Sequence, residues 1–90
     1  MSATDDDSLL VFPCSFPIKA MGRMDDDLET LVVELISRHV AAEHIEEVTT
    51  RASGQRNYLA VTVTVQATSR AQLDAIYMDL TADSRVRYAL

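Results

Sequence analysis

The run from Tyr58 to Ala67 constrains the fold more than any other feature of the chain. In it Leu59, Val61, Val63 and Val65 alternate with Tyr58, Ala60, Thr62, Thr64 and Gln66. A period of two sends successive side chains to opposite faces of a strand, so one face is apolar and must be covered while the other is wet or meets a partner. Such a strand needs sheet neighbours and a packed layer over its apolar face.

The rest of the chain supplies both. Phe16, Ile18 and Ala20 alternate with Pro17, Lys19 and Met21, predicting a first strand that ends near Gly22. Phe12-Pro13 and Phe16-Pro17 around it suit a strand start or sheet edge and argue against helix. Asp25, Asp26 and Asp27 then predict an N-cap and acidic first turn, and Leu28, Leu31, Val32, Leu35, Ile36 and His39 or Val40 form one apolar helical stripe. Val48, Thr50 and Ala52 alternate with Glu47, Thr49 and Arg51 in a polar run that reads as an edge strand, turned at Ser53 to Asn57. After the central strand, Thr68 or Ser69 caps a second helix whose stripe is Leu73, Ile76, Tyr77 and Leu80. Ser84 to Ala89 closes the chain as a strand with Val86 and Tyr88 inward.

The order βαββαβ, with one apolar face per element, predicts an α+β, two-layer, ferredoxin-like sandwich: an antiparallel four-stranded sheet in the order 4-1-3-2 with both helices on one side. Residues 1–9 are expected to be a disordered acidic tail, since Asp5 to Asp7 lie in a stretch with little to bury, and residues 10–90 a single domain. The core should include Leu31, Leu35, Val61, Val63 and Ile76. At 90 residues the chain has one core and little room for a deep walled cavity. Function is expected at a face, an edge or a subunit interface.

A formal charge of −6 disfavours non-specific attraction to nucleic acid or anionic lipid. The single cysteine, Cys14, forms no internal disulfide, no run has the length of a membrane span, and the acidic start is unlike a secretory signal, so a cytoplasmic location is expected.

Phe12-Pro13, Phe16, Lys19-Ala20-Met21-Gly22, Ser53, Asn57-Tyr58, Ile76-Tyr77 and Val86-Arg87 with Leu90 resemble, in order and spacing, the YbeD-like family of small bacterial proteins of uncertain function. The resemblance implies a ferredoxin-like fold similar to ACT-type regulatory domains, which bind small ligands, often amino acids, at dimer interfaces. It also implies a connection with lipoate metabolism. The chain departs from the family pattern in the second hairpin, where Arg56 takes the place of a Gly that here lies two residues earlier, at Gly54.

Catalytic and metal constellations are not expected. His39 and His44 are five residues apart, a spacing that does not share a helical face, so with Glu43, Glu46 and Glu47 they read as a helix end and a solvated loop rather than a metal site. Cys14 has no local base or cation to activate it. An acylphosphatase-like hydrolase of this topology would need an amide cradle that Gly22-Arg23 lacks, and an RNA-binding domain would need stacking rings where the central strands carry Lys19, Met21, Ala60, Thr62 and Thr64. No cofactor is called for.

What remains is a non-catalytic regulatory or adaptor module that binds a small ligand or a protein partner, a homodimer being among the arrangements left open. The alternation places Lys19, Arg85 and Arg87 on the open sheet face, with Met21 and Tyr58 as apolar contacts, a set of donors suited to a carboxylate, a phosphate or an acidic partner. A weaker candidate surface comprises the loop residues Gly22, Arg23, Ser53, Gly54 and Asn57, which by resemblance to ACT-type domains would approach a ligand.

Overall fold

A computed structural model describes residues 10–24, 27–55 and 57–90. The expected tail, residues 1–9, lies outside them, as do Asp25, Asp26 and Arg56. The elements are β1 (Cys14–Arg23), α1 (Leu28–Ser37), a short 3-10 turn (Ala42–His44), β2 (Ile45–Ser53), β3 (Tyr58–Ala67), α2 (Arg70–Ala82) and β4 (Val86–Ala89). The sheet order is β2-β3-β1-β4, all neighbours antiparallel. This is the predicted ferredoxin-like plan.

Register follows from the apolar alternations. Phe16, Ile18 and Ala20 pair with Val65, Val63 and Val61, so the apolar faces of the two central strands meet the helices together. Leu28, Leu31, Val32, Leu35 and Ile36 of α1 and Leu73, Ile76 and Leu80 of α2 are buried over them, and all five residues predicted for the core are in it. At roughly 1.5 to 3 kcal/mol for each large side chain removed from water, this single layer contact is the main stabilising term.

The caps differ from expectation at one helix. Asp27 precedes α1 but lies in the left-handed region, φ 51°, with no side-chain capping bond. Its carbonyl, not its carboxylate, meets the helix, accepting from the Leu31 N–H at 3.2 Å. Asp tolerates this backbone better than most residues. For α2 the expectation holds: Ser69 Oγ accepts from the Gln72 N–H at 3.1 Å.

The stripe of α1 outlasts its helix. Ser37 is the last helical residue, and the N–H groups of Arg38, His39 and Val40 bond back to Leu35 and Ile36 in a tightened turn that still buries Val40. Two strand expectations are corrected at the C-terminus. β4 begins at Val86, because Asp83 to Arg85 form a turn in which the Asp83 carbonyl accepts from the Val86 N–H at 3.0 Å. Val86 is inward as expected, but Tyr88 points out and is 56% exposed. The cause is a bulge: Gly22 pairs with Val86 and Met21 with Tyr88, leaving Arg87 as the extra residue and shifting the parity of everything after it.

Candidate functional site

With the helices on one side, the other face of the sheet is built from Ser15, Pro17, Lys19, Met21 and Arg23 of β1, the polar positions of β3, and Glu47, Thr49, Arg51 and Ser53 of β2. Register sets them in rungs. One runs Arg51, Ala60, Met21, Tyr88 and the next Thr49, Thr62, Lys19, Leu90. The last of these closes because Lys19 and Leu90 exchange both backbone hydrogen bonds, at 3.1 and 2.8 Å. At the far end Ser53, Tyr58 and Arg23 line up.

The result is an apolar strip of Met21, Tyr88 and Leu90, the last two 56% and 58% exposed, at the register positions next to Lys19, with Tyr58 at its margin, 42% exposed. Lys19, Arg23, Arg51 and Arg87 lie on or beside it. Among the described acidic residues Glu46 and Glu47 belong to this side: Glu47 stands one rung from Lys19, as Arg51 does in the other direction, and beyond it Glu46 Oε1 accepts from Ser15 Oγ at 2.7 Å. A chain of net charge −6 thus gathers positive charge on one face. Cation beside flat apolar surface suits a ligand that brings carboxylates on an apolar frame.

Arg85 does not join this group. Its guanidinium is held in a fork on Asp83, Nε to Oδ1 at 3.0 Å and Nη2 to Oδ2 at 2.9 Å, and its backbone N–H adds a third bond to Oδ1. These hydrogen bonds from Arg85 hold the Asp83 carboxyl below its ordinary range, with attraction to Arg85 and Arg38 adding to them. Arg85 lies outside the strand and its charge is matched locally, which removes it from the centre that the sequence predicts. Tyr88, Leu90 and Arg51 take its place. Arg51 was legible in the alternation of β2, whereas Tyr88 depends on a bulge that no local pattern announces.

The predicted loop residues do come together. The Met24 N–H donates to the Asn57 carbonyl at 3.1 Å, joining the end of β1 to the β2–β3 hairpin. Gly54, φ 60°, lies against the Tyr58 ring, where a β-carbon would come within 2.9 Å of Cδ2. Gly22 has a packing role: a β-carbon there would collide with the Arg85 carbonyl and touch Leu28 Cδ1 at 3.0 Å.

On the helix side, Asp79 binds His39 Nε2 at 2.7 Å, with the Arg38 guanidinium 3.8 Å away, and Gln72 Nε2 donates to the His39 carbonyl at 3.0 Å. These contacts tie the end of α1 to α2. Burial pushes the Tyr77 phenol up. His44 is exposed in the 3-10 turn, and among the described residues no three His, Cys, Asp or Glu side chains converge as metal ligands would. Cys14 is half-buried against the core. No helix among the described residues is long and apolar enough to cross a membrane.

A family model described as "Protein of unknown function (DUF493)" matches residues 7–90. Similar proteins include a UPF0250 protein of Ralstonia nicotianae, 44% identical over 84 residues that cover 93% of this chain and 87% of the relative. Another, from Paraburkholderia phymatum, is 43% identical over 93% of this chain and 94% of its own, and one from Neisseria gonorrhoeae is 39% identical over 92% and 91%. Among solved structures, the solution structure of protein HP0495 from H. pylori matches with a TM-score of 0.72 at 12% identity, covering 90% of this chain and 85% of that one. At that identity it bears on the fold alone.

Proposed function

The chain belongs to the DUF493 family, the UPF0250 proteins, and from its surfaces we propose that it is a non-catalytic adaptor or regulatory module whose open sheet face docks an acidic segment of a protein partner. One observation carries the reading: Lys19, flanked on the sheet by Met21, Tyr88 and Leu90 and followed by Arg87 at the nearby bulge, sits on an otherwise acidic protein. Among the described residues neither Lys19 nor Arg87 has an ion-pair partner to spend its charge on. A carboxylate-bearing partner gains charge-assisted bonds from these cations and buries the exposed rings. The same field disfavours other faces, since the remaining surface repels acidic segments.

Nucleic acid is the rival on this topology. Tyr58 and Tyr88 add rings to the face, but they stand on different rungs and the middle of the two central strands carries Lys19, Thr62 and Thr64, which gives bases no stacking platform. The small-ligand reading that goes with ACT-type domains, lipoyl compounds and amino acids included, would use the Gly22, Arg23, Gly54 and Asn57 end.

The test is affinity capture from a lysate of the source bacterium with the wild type and a Lys19→Glu/Arg87→Glu variant, followed by binding of the captured protein's acidic segment. Charge reversal should weaken that binding by at least about 2 kcal/mol, and rising salt should weaken it as well. A variant with unchanged circular dichroism that keeps every partner at low salt rules the face out. Saturable binding of single-stranded RNA, or a thermal shift with amino acids or lipoyl compounds, would replace the reading with its rivals.

A further inference from the structure

The sheet has a second unspent surface, the outer edge of β2. We infer that this edge pairs with the same edge of a second copy, antiparallel and centred on Thr49, to make a symmetric dimer with one continuous sheet.

Glu47, Thr49 and Arg51 lie on one face, opposite Thr64, Thr62 and Ala60. A two-fold axis at Thr49 sets Thr49 against its own copy and Glu47 against Arg51 of the other chain, twice. Opposite charges directly across a ladder attract and like charges repel. A protected edge usually carries like charges or lysines, which resist self-pairing. This one carries a sign pattern complementary to itself, and among the described residues neither Glu47 nor Arg51 is paired within the chain.

The backbone has the matching phase. Lys19 exchanges both its hydrogen bonds with Leu90, so its pairing with Thr62 on the other side is the non-bonded kind, and Thr62 must bond outward to Thr49. Thr49 is therefore spent on β3, while the N–H and C=O groups of Val48 and Thr50 point off the sheet. In the dimer Val48 and Thr50 form the hydrogen-bonded pairs, and Glu47 meets Arg51 in the closer, non-bonded spacing where side chains interact best.

The other layer leaves room. The helices pack over β1, β3 and β4 and leave β2 at most grazed, and on that side Thr50 and Ala52 are exposed and Val48 only half-buried. Pairing covers Val48 with the other chain's Thr50. The register shift between Ile45 and Glu47 ends the regular ladder, confining it to Glu47–Arg51. This edge is two strands from Lys19 and shares only Arg51 with the docking face, and the Lys19→Glu/Arg87→Glu variant leaves it untouched, so the two readings are tested separately.

Sedimentation equilibrium of the full chain from roughly 10 µM to 1 mM should show a reversible monomer–dimer system, with amide exchange at Val48 and Thr50 slowing as concentration rises. Glu47→Arg and Arg51→Glu, each replacing two attractions by two repulsions, should each weaken association by about tenfold or more. Mixing the two variants should give a heterodimer in native mass spectrometry, because opposite signs again face each other. A wild type that stays monomeric throughout, a dimer indifferent to both reversals, or variants that do not pair when mixed would each overturn the inference.

Discussion

The two edges of the sheet are built on opposite principles. β4 is four residues long, bulged at Arg87 and packed against α2, whereas β2 runs nine residues with little helix beside it. Short length, a bulge and cover are the devices that stop an edge from recruiting another strand. One edge is closed by its own fold and the other is left with a usable ladder. The contrast separates an edge that the monomer covers from one that it leaves open.

The largest effect is expected where β4 is closed. Gly22→Ala places a β-carbon against the Arg85 carbonyl, a backbone atom that cannot turn aside, and should cost about 2 to 3 kcal/mol in urea unfolding. A cost under about 0.5 kcal/mol would mean that β4 is not held by this close approach.

A paired truncation compares the edges directly. Val86 of β4 is 7% exposed and Val48 of β2 half-buried. Val86→Ala should destabilise dilute protein by about 2 kcal/mol and Val48→Ala by under about 1, and equal costs would erase the distinction.

The smallest effect concerns the turn into β4. The folded Asp83 carboxyl titrates below its ordinary value because Arg85 hydrogen-bonds its charged form. The stabilisation is thus present above the unfolded value, about pH 4, and lost as pH falls through the folded one. Arg85→Gln should lower the melting temperature by about one or two degrees near neutrality, with the difference vanishing in acid. A gap that widened in acid would contradict the fork.

Much of this was legible in the chain. Alternation at Phe16 to Met21 and Tyr58 to Gln66 and the stripes from Leu28 and Leu73 each report which side of an element is apolar, and that information is local. It yields the layer plan, the strand order through the βαββαβ sequence of elements, the buried set and the likeness to the YbeD-like family, which the DUF493 match supports. Lys19, Met21 and Tyr58 were placed on the open face by the same arithmetic. It failed at Tyr88 and Arg85. Extending a period of two from Val86 assumes an unbroken ladder, and the ladder breaks where Gly22 admits the chain of Arg85 and Val86.

From its own sequence the protein determines faces: which residues of each strand and helix must leave water. The tertiary structure alone decides neighbours. That Lys19 stands beside Leu90, that Tyr88 turns outward, that Arg85 is spent on Asp83, and that Val48 and Thr50 keep outward backbone groups all depend on register and bulges. These are set by hydrogen bonds and close contacts between segments far apart in the chain. A period of two says which way a side chain points, but only the partner strand says what it points beside.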